Sequence, residues 1–127
     1  MSFGFFGNKT SRPEPSSIWS NLLSLGDLEQ LMQDSFDIPQ LIFKHSTRCG
    51  VSRMVLRQFE SEWGSEQKGN LYLLDLIEYR DISNRIEELT GIIHQSPQVI
   101  VILKGEAIDD ASHHSISAPR LEKNMKV

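Results

Sequence analysis

The stretch His45-Ser46-Thr47-Arg48-Cys49-Gly50-Val51-Ser52-Arg53 contains the only cysteine of the 127-residue chain. A cysteine does chemistry as its thiolate, which attacks disulfides and binds soft metals. The neighbours of Cys49 suit the first task. Lys44, Arg48 and Arg53 supply positive charge, and in a helix Arg53 lies one turn beyond Cys49 on the same face. Ser52, three residues on, is placed to donate its backbone N–H or its hydroxyl to the sulfur, as an N3 group donates to an N-cap. Gly50 leaves the flank of the sulfur open to a bulky disulfide. A structural cysteine belongs in an apolar stripe. Cys49 instead stands among Thr47, Arg48, Gly50 and Ser52, so it reads as a reactive thiol rather than a core residue.

A second group is His94-Gln95-Ser96-Pro97-Gln98, directly before the apolar run Val99–Leu103. Proline has no N–H for a sheet ladder, so Pro97 is either the first residue of a strand or part of a cis turn, and the sequence leaves both open. His94 is a candidate to orient a substrate or act as a general base, with a plain surface loop histidine as the alternative. His113 and His114 could join Cys49 on a metal only in the absence of any recurrent ligand spacing, so no metal site is expected.

These groups need elements to position them. Leu41-Ile42-Phe43, Leu71-Tyr72-Leu73-Leu74 and Val99–Leu103 are short apolar runs that suit strands buried on both faces. Ile18–Leu22 fits a short edge strand. Helical spacing marks Asp27–Phe36, with Ser24 or Asp27 as N-cap, and Cys49–Trp63, with Val51, Met54, Val55, Phe59 and Trp63 as its apolar stripe. Asp81–Thr90 carries Ile82, Ile86 and Leu89 on one face and ends at Gly91, which suits a left-handed cap. A turn or further strand near Ala107–Ile116 precedes a last helix capped by Ser117, with Pro119 in its first turn. Alternating strands and helices predict an α/β domain over residues 18–127 with helices on both faces of the sheet. In this order Cys49 falls where the strand Leu41–Lys44 hands over to a helix. That is the end of an α/β sheet where ligands bind, and a helix N-terminus favours a thiolate over a thiol.

Composition bounds the possibilities. Thirteen Lys plus Arg against 17 Asp plus Glu give a formal net charge of -4, the wrong sign for a nucleic-acid surface. No apolar run approaches the ~18 residues of a membrane span. Residues 1–17, with Phe3, Phe5 and Phe6 followed by a proline- and serine-containing stretch, read as a mobile leader and not as a signal peptide. A single cysteine allows no internal disulfide, which predicts a reducing, cytoplasmic setting.

Taken together, Lys-His-Ser-Thr-Arg-Cys-Gly-Val-Ser and His-Gln-Ser-Pro-Gln-Val-Ile-Val-Ile-Leu-Lys-Gly resemble the thioredoxin superfamily. Within it they are most similar to the small thioredoxin-like proteins of the bacillithiol system, the monothiol (YtxJ-like) bacilliredoxins. The resemblance runs from about Ile18 to the C-terminus by layout, and its specific support is the two motifs. It implies a thioredoxin-like fold with a central mixed sheet. It implies Cys49 as redox nucleophile, Ser52 in the place of the resolving cysteine of dithiol relatives, and Pro97 as a cis-proline facing Cys49. Ser96 would offer backbone groups to a bound disulfide, and Lys44, Thr47, Arg48, Gly50, Arg53 and His94 would flank it. Gly50 stands where many relatives carry proline. The implied reaction removes bacillithiol, a low-molecular-weight thiol, from mixed disulfides on client proteins. The chain is also similar to monothiol glutaredoxins through Cys-Gly-Val-Ser, which implies a [2Fe–2S] carrier as the alternative, although their downstream Gly-Gly pair is replaced by Leu-Lys-Gly-Glu-Ala-Ile-Asp-Asp-Ala-Ser. A thioredoxin-like binding module without chemistry is the third reading.

Overall fold

The structure is a computed structural model that describes residues 18–64 and 69–125. The expected leader, residues 1–17, lies outside the described residues. The elements run β1 (Ser20–Asn21), α1 (Leu25–Asp34), β2 (Gln40–His45), α2 (Gly50–Glu62), β3 (Asn70–Asp75), α3 (Arg80–Thr90), β4 (Gln98–Leu103), β5 (Glu106–Ser112), a 3-10 turn (His113–Ser115) and α4 (Ala118–Asn124). They form one five-stranded sheet in the order β1-β3-β2-β4-β5. β1, β3 and β2 pair in parallel, while β4 runs antiparallel to β2 and β5 antiparallel to β4. The sheet is therefore mixed, as the resemblance implies.

Alternation along the strands divides the apolar residues between two cores. Leu41 and Phe43 of β2 and Val99 and Val101 of β4 pack with Val55 and Phe59 of α2 and Leu121 of α4. Trp19, Phe43, Phe59 and Trp63 add a run of ring contacts with centroids 5.3–5.7 Å apart. On the opposite face, Ile42, Ile100 and Ile102 meet Leu28 and Leu31 of α1 and Ile82 and Ile86 of α3. Each such fully buried side chain contributes about 1.5–3 kcal/mol through its removal from water, and the two sets together clamp the sheet between helix pairs.

Local signals set the boundaries. Ser24 caps α1, its Oγ accepting from the Asp27 N–H at 3.0 Å, while Asp27 Oδ2 accepts from the Leu23 N–H at 3.1 Å. Gly91 ends α3 in the left-handed region, φ 74°, its N–H donating to Glu87 O at 2.8 Å. Ser117 caps α4. Lys104 and Gly105, both at positive φ, make a tight hairpin between β4 and β5. A Cβ on Gly105 would meet Phe36 Cζ at 3.0 Å, so glycine serves both the turn and the close approach there.

Three expectations change. Helix α1 begins two residues earlier than Asp27 and stops at Asp34, because Ser24 takes the cap. The β1 strand shrinks to Ser20–Asn21. In α2, Val51 and Met54 are 40% and 54% exposed and do not belong to the buried stripe, which is Ser52, Val55 and Phe59. Ser52 of the first turn is fully buried, so Val51 and Met54 are exposed because they lie on the face of α2 turned away from Ser52, Val55 and Phe59.

Candidate functional site

The site forms at the end of the sheet where β2 stops and β4 begins. In the register, His45 lies opposite Asp75, Lys44 opposite Gln98, and Gln98 opposite Ser112. One step further out, the His113 N–H donates to Pro97 O at 3.0 Å. Asp75, His45, Pro97 and His113 thus mark a row along the sheet end, and Cys49 follows His45 by four residues. The Ser96–Pro97 peptide bond is cis, which decides between the two open readings of that proline.

Cys49 is the N-cap residue of α2, partly exposed, with an extended backbone (φ -108°, ψ 121°) and no side-chain capping hydrogen bond. Its N–H donates to Ser46 O at 3.2 Å, and its carbonyl accepts from the Arg53 N–H at 3.1 Å. The sulfur is therefore carried by a backbone tied at both sides while itself engaged by no capping donor. The Arg53 guanidinium folds back, Nη1 donating to Thr47 O at 2.9 Å, and lies 3.9 Å from where a Gly50 Cβ would be. Arg53, Thr47 and Gly50 are brought together with Cys49 in one turn, and Arg48 is exposed beside them.

Ser52 behaves differently from expectation. It is fully buried, and its Oγ accepts from the Ser46 N–H at 3.1 Å and lies 2.7 Å from His45 Nδ1. The hydroxyl expected at the sulfur is occupied by the strand end behind it. His45 is the residue that the sequence reading missed. Burial holds its imidazole below the ordinary histidine range; Asp75 and Glu60 oppose that and Arg53 adds to it. A neutral His45 can accept a hydrogen bond from the Ser52 hydroxyl, so His45, Ser46 and Ser52 form a closed polar set under the Cys49 turn. The available signal was a polar residue continuing a strand whose other positions are all buried.

Lys44 also departs from expectation. Because it follows Phe43, it points to the α1/α3 face, away from the face that carries α2. It is fully buried there, with Nζ 3.4 Å from His94 Nδ1. Ser83 Oγ of α3 lies 3.2 Å from the same nitrogen. Burial lowers the Lys44 pKa to about 8, with Glu87 opposing. His94 is lowered by burial, then by Lys44 and Arg80, with Glu87 opposing. With Nδ1 engaged by two side chains, His94 offers no free base at that nitrogen. Gln98, a second residue that sequence reasoning passed over, is buried and clamps the same loop. Its Nε2 donates to Ile93 O at 3.0 Å and its Oε1 accepts from the Gln95 N–H at 3.4 Å. Ser96 Oγ is buried with no hydrogen-bond partner among the described residues.

His113 and His114 fall in the 3-10 turn after β5, which packs against α2. Among the described residues no group of three His, Cys, Asp or Glu side chains is arranged to hold a metal, and no helix is long and apolar enough to cross a membrane.

Comparison with known proteins adds to this geometry. Residues 20–121 match the family model of the monothiol bacilliredoxin BrxC. A solved structure provisionally described as an oxidoreductase with a thioredoxin fold is similar over 86% of this chain and 95% of its own, at 26% identity and TM-score 0.75. Thioredoxin from Schistosoma mansoni superposes with TM-score 0.67 at 19% identity, covering 87% of this chain and 94% of its own. Thioredoxin from Fasciola hepatica gives TM-score 0.65 at 15% identity, covering 83% and 94%. The last two likenesses concern the fold.

Proposed function

Because the chain belongs to the monothiol bacilliredoxin family, a family of thiol redox proteins with the thioredoxin fold, we propose that it removes bacillithiol from mixed disulfides on client proteins. The observation that carries this reading is the isolation of Cys49. Its sulfur stands at the N-terminus of α2 with no capping donor, while Ser52, one turn on, has its hydroxyl committed to His45 and Ser46.

In the proposed step the Cys49 thiolate attacks the bacillithiol sulfur of a client–bacillithiol disulfide. A Cys49–bacillithiol bond forms, the old disulfide breaks, and the client cysteine leaves as a thiolate. One disulfide replaces another, so no external oxidant or reductant is consumed. With one cysteine in the chain, the new disulfide must be resolved by a second thiol from outside, either a free small thiol or another protein. The sulfur stands at the N-terminus of α2, where the helix presents its positive end to the attacking group. Arg53 and Arg48 are placed to attract the carboxylates of bacillithiol. The cis-proline loop lies at the same sheet end and supplies backbone groups along which the client disulfide can lie. A reducing cytoplasm is the setting in which such a lone thiol stays active.

Intact-mass analysis after incubation with oxidised bacillithiol, and separately with oxidised glutathione, tests this. A rapid single adduct on Cys49 from bacillithiol and not from glutathione is expected. No adduct from either, or a thiol-dependent coloured dimer after iron and sulfide reconstitution in place of exchange, overturns it.

A further inference from the structure

The cis-proline loop is held from below by a buried cation, and the exchange reaction proposed above does not account for it. Lys44 is fully buried in the aliphatic face between the sheet and α3, the costliest place in the fold for an ammonium group. A methionine of similar length would fill the same space at lower cost. What the amine adds is its contact with His94 Nδ1 at 3.4 Å. An ammonium group only donates. For Nδ1 to accept from that group it has to be the bare nitrogen of a neutral imidazole, with the ring proton on Nε2. Ser83, 3.2 Å from the same Nδ1, can donate or accept and so cannot choose the tautomer by itself. Lys44 makes the choice. His94 in turn begins the segment His94-Gln95-Ser96-Pro97, whose other anchor is the buried Gln98 side chain.

We propose that Lys44 is a positioning residue for thiol–disulfide exchange, which fixes His94 as the Nε2–H tautomer and with it the loop that presents Ser96 and Pro97 to the mixed disulfide. This rests on the exchange reading of the site. The charged groups that act on the pair are Glu87 and Arg80, both of α3. The lowered pKa of both partners is what a desolvated cation beside a neutral imidazole produces, and it agrees with the geometry without being needed for it.

The test has two arms on the full chain. In the first, two-bond 1H–15N spectra of 15N-histidine-labelled protein at pH 7 read the His94 tautomer. Nδ1 unprotonated and Nε2 protonated are expected in the native chain, with Lys44→Met moving His94 to a mixture or to Nδ1–H. A native chain with its proton on Nδ1 overturns the proposal even if Lys44→Met does not fold. In the second arm, kcat and KM are measured on a peptide carrying a cysteine–bacillithiol mixed disulfide. Lys44→Met is expected to raise KM roughly five- to tenfold with kcat within about twofold, and Lys44→Arg to recover part of the loss. An unmoved KM in a folded Lys44→Met protein overturns the proposal. A native chain that fails to exchange overturns the exchange reading, and the tautomer arm then still decides whether Lys44 governs His94.

Discussion

The two faces of the sheet solve the same problem in opposite ways. On the α2/α4 face, β2 ends in His45, which closes a short, neutral set with Ser52 and Ser46 at 2.7 and 3.1 Å. On the α1/α3 face the residue just before it, Lys44, ends in a longer contact of 3.4 Å to His94 and carries a cation into an aliphatic core. Both side chains support a loop from behind. His45 supports the turn that carries Cys49, and Lys44 supports the loop that carries Ser96 and Pro97. One dipeptide at a strand end, through simple alternation, reaches both halves of the site. The difference is in cost. The neutral set gives rigidity for little, whereas the buried cation gives orientation at the expense of stability.

Five experiments bear on that contrast. The largest effect comes from the sulfur above it. Cys49→Ser is expected to abolish exchange, with no mass adduct from any oxidised small thiol, while thermal unfolding stays close to that of the native chain because neither core is touched. Residual exchange in this variant would break the assignment of the chemistry to the α2 face.

Next in size is a pH effect on the Lys44 face. The folded pKa of about 8 lies below the ordinary 10.5. Between those values the unfolded chain holds a proton that the folded chain has released, so stability rises as pH rises through that window. At about 1.4 kcal/mol per pH unit the gain is on the order of 3 kcal/mol. Urea unfolding at several pH values from 7 to 10.5 should show that slope in the native chain and lose it in Lys44→Met. Parallel curves for the two proteins would remove the cost from this side of the comparison.

Ser52→Ala probes the neutral set. It leaves the Ser46 N–H and His45 Nδ1 buried without their partner, and a loss of about 1–3 kcal/mol in denaturant unfolding is expected. Because the hydroxyl does not cap the sulfur, adduct formation at Cys49 should survive within a few-fold. The native chain should also lose stability as pH falls below the ordinary histidine value of about 6.5, since the unfolded state then takes up a proton that burial denies to His45. The smallest effect belongs to Arg53→Ala. The Arg53–Thr47 contact is exposed, so its loss should change stability by less than about 1 kcal/mol. A modest rise in KM for the anionic thiol, reduced by added salt, would separate charge attraction from loop support.

How far the sequence reaches can be seen at these same residues. The apolar runs Leu41–Phe43, Leu71–Leu74 and Val99–Leu103 identify three strands because their content matches burial on both faces. Ser24, Gly91 and Ser117 mark helix ends because each does a job that few residues can do. Cys49 stands out because it is alone at a strand-to-helix junction. What stayed hidden depends on which way a side chain points. Distance along the chain places Lys44 near the thiol, yet one step of strand alternation sends it to the other face. Ser52 was aimed at the sulfur, yet a histidine seven residues earlier takes its hydroxyl. His45 and Gln98 carry no signal in the sequence, because polar residues at strand ends are ordinary until the register shows them buried. Val51 and Met54 fit an apolar stripe, but the face of α2 that packs on the sheet is the one carrying Ser52, Val55 and Phe59, where a serine weakens the apolar signal.

The outer strands of the sheet bear on how such a protein stays apart from its neighbours. One edge, β1, is only two residues long. The other, β5, carries Glu106, Asp109 and Asp110 and loses register opposite Val101 and Ile102. Short, acidic and bulged edges resist the strand-to-strand pairing by which chains aggregate. Neither edge therefore offers a long, regular ladder on which a second chain could extend the sheet.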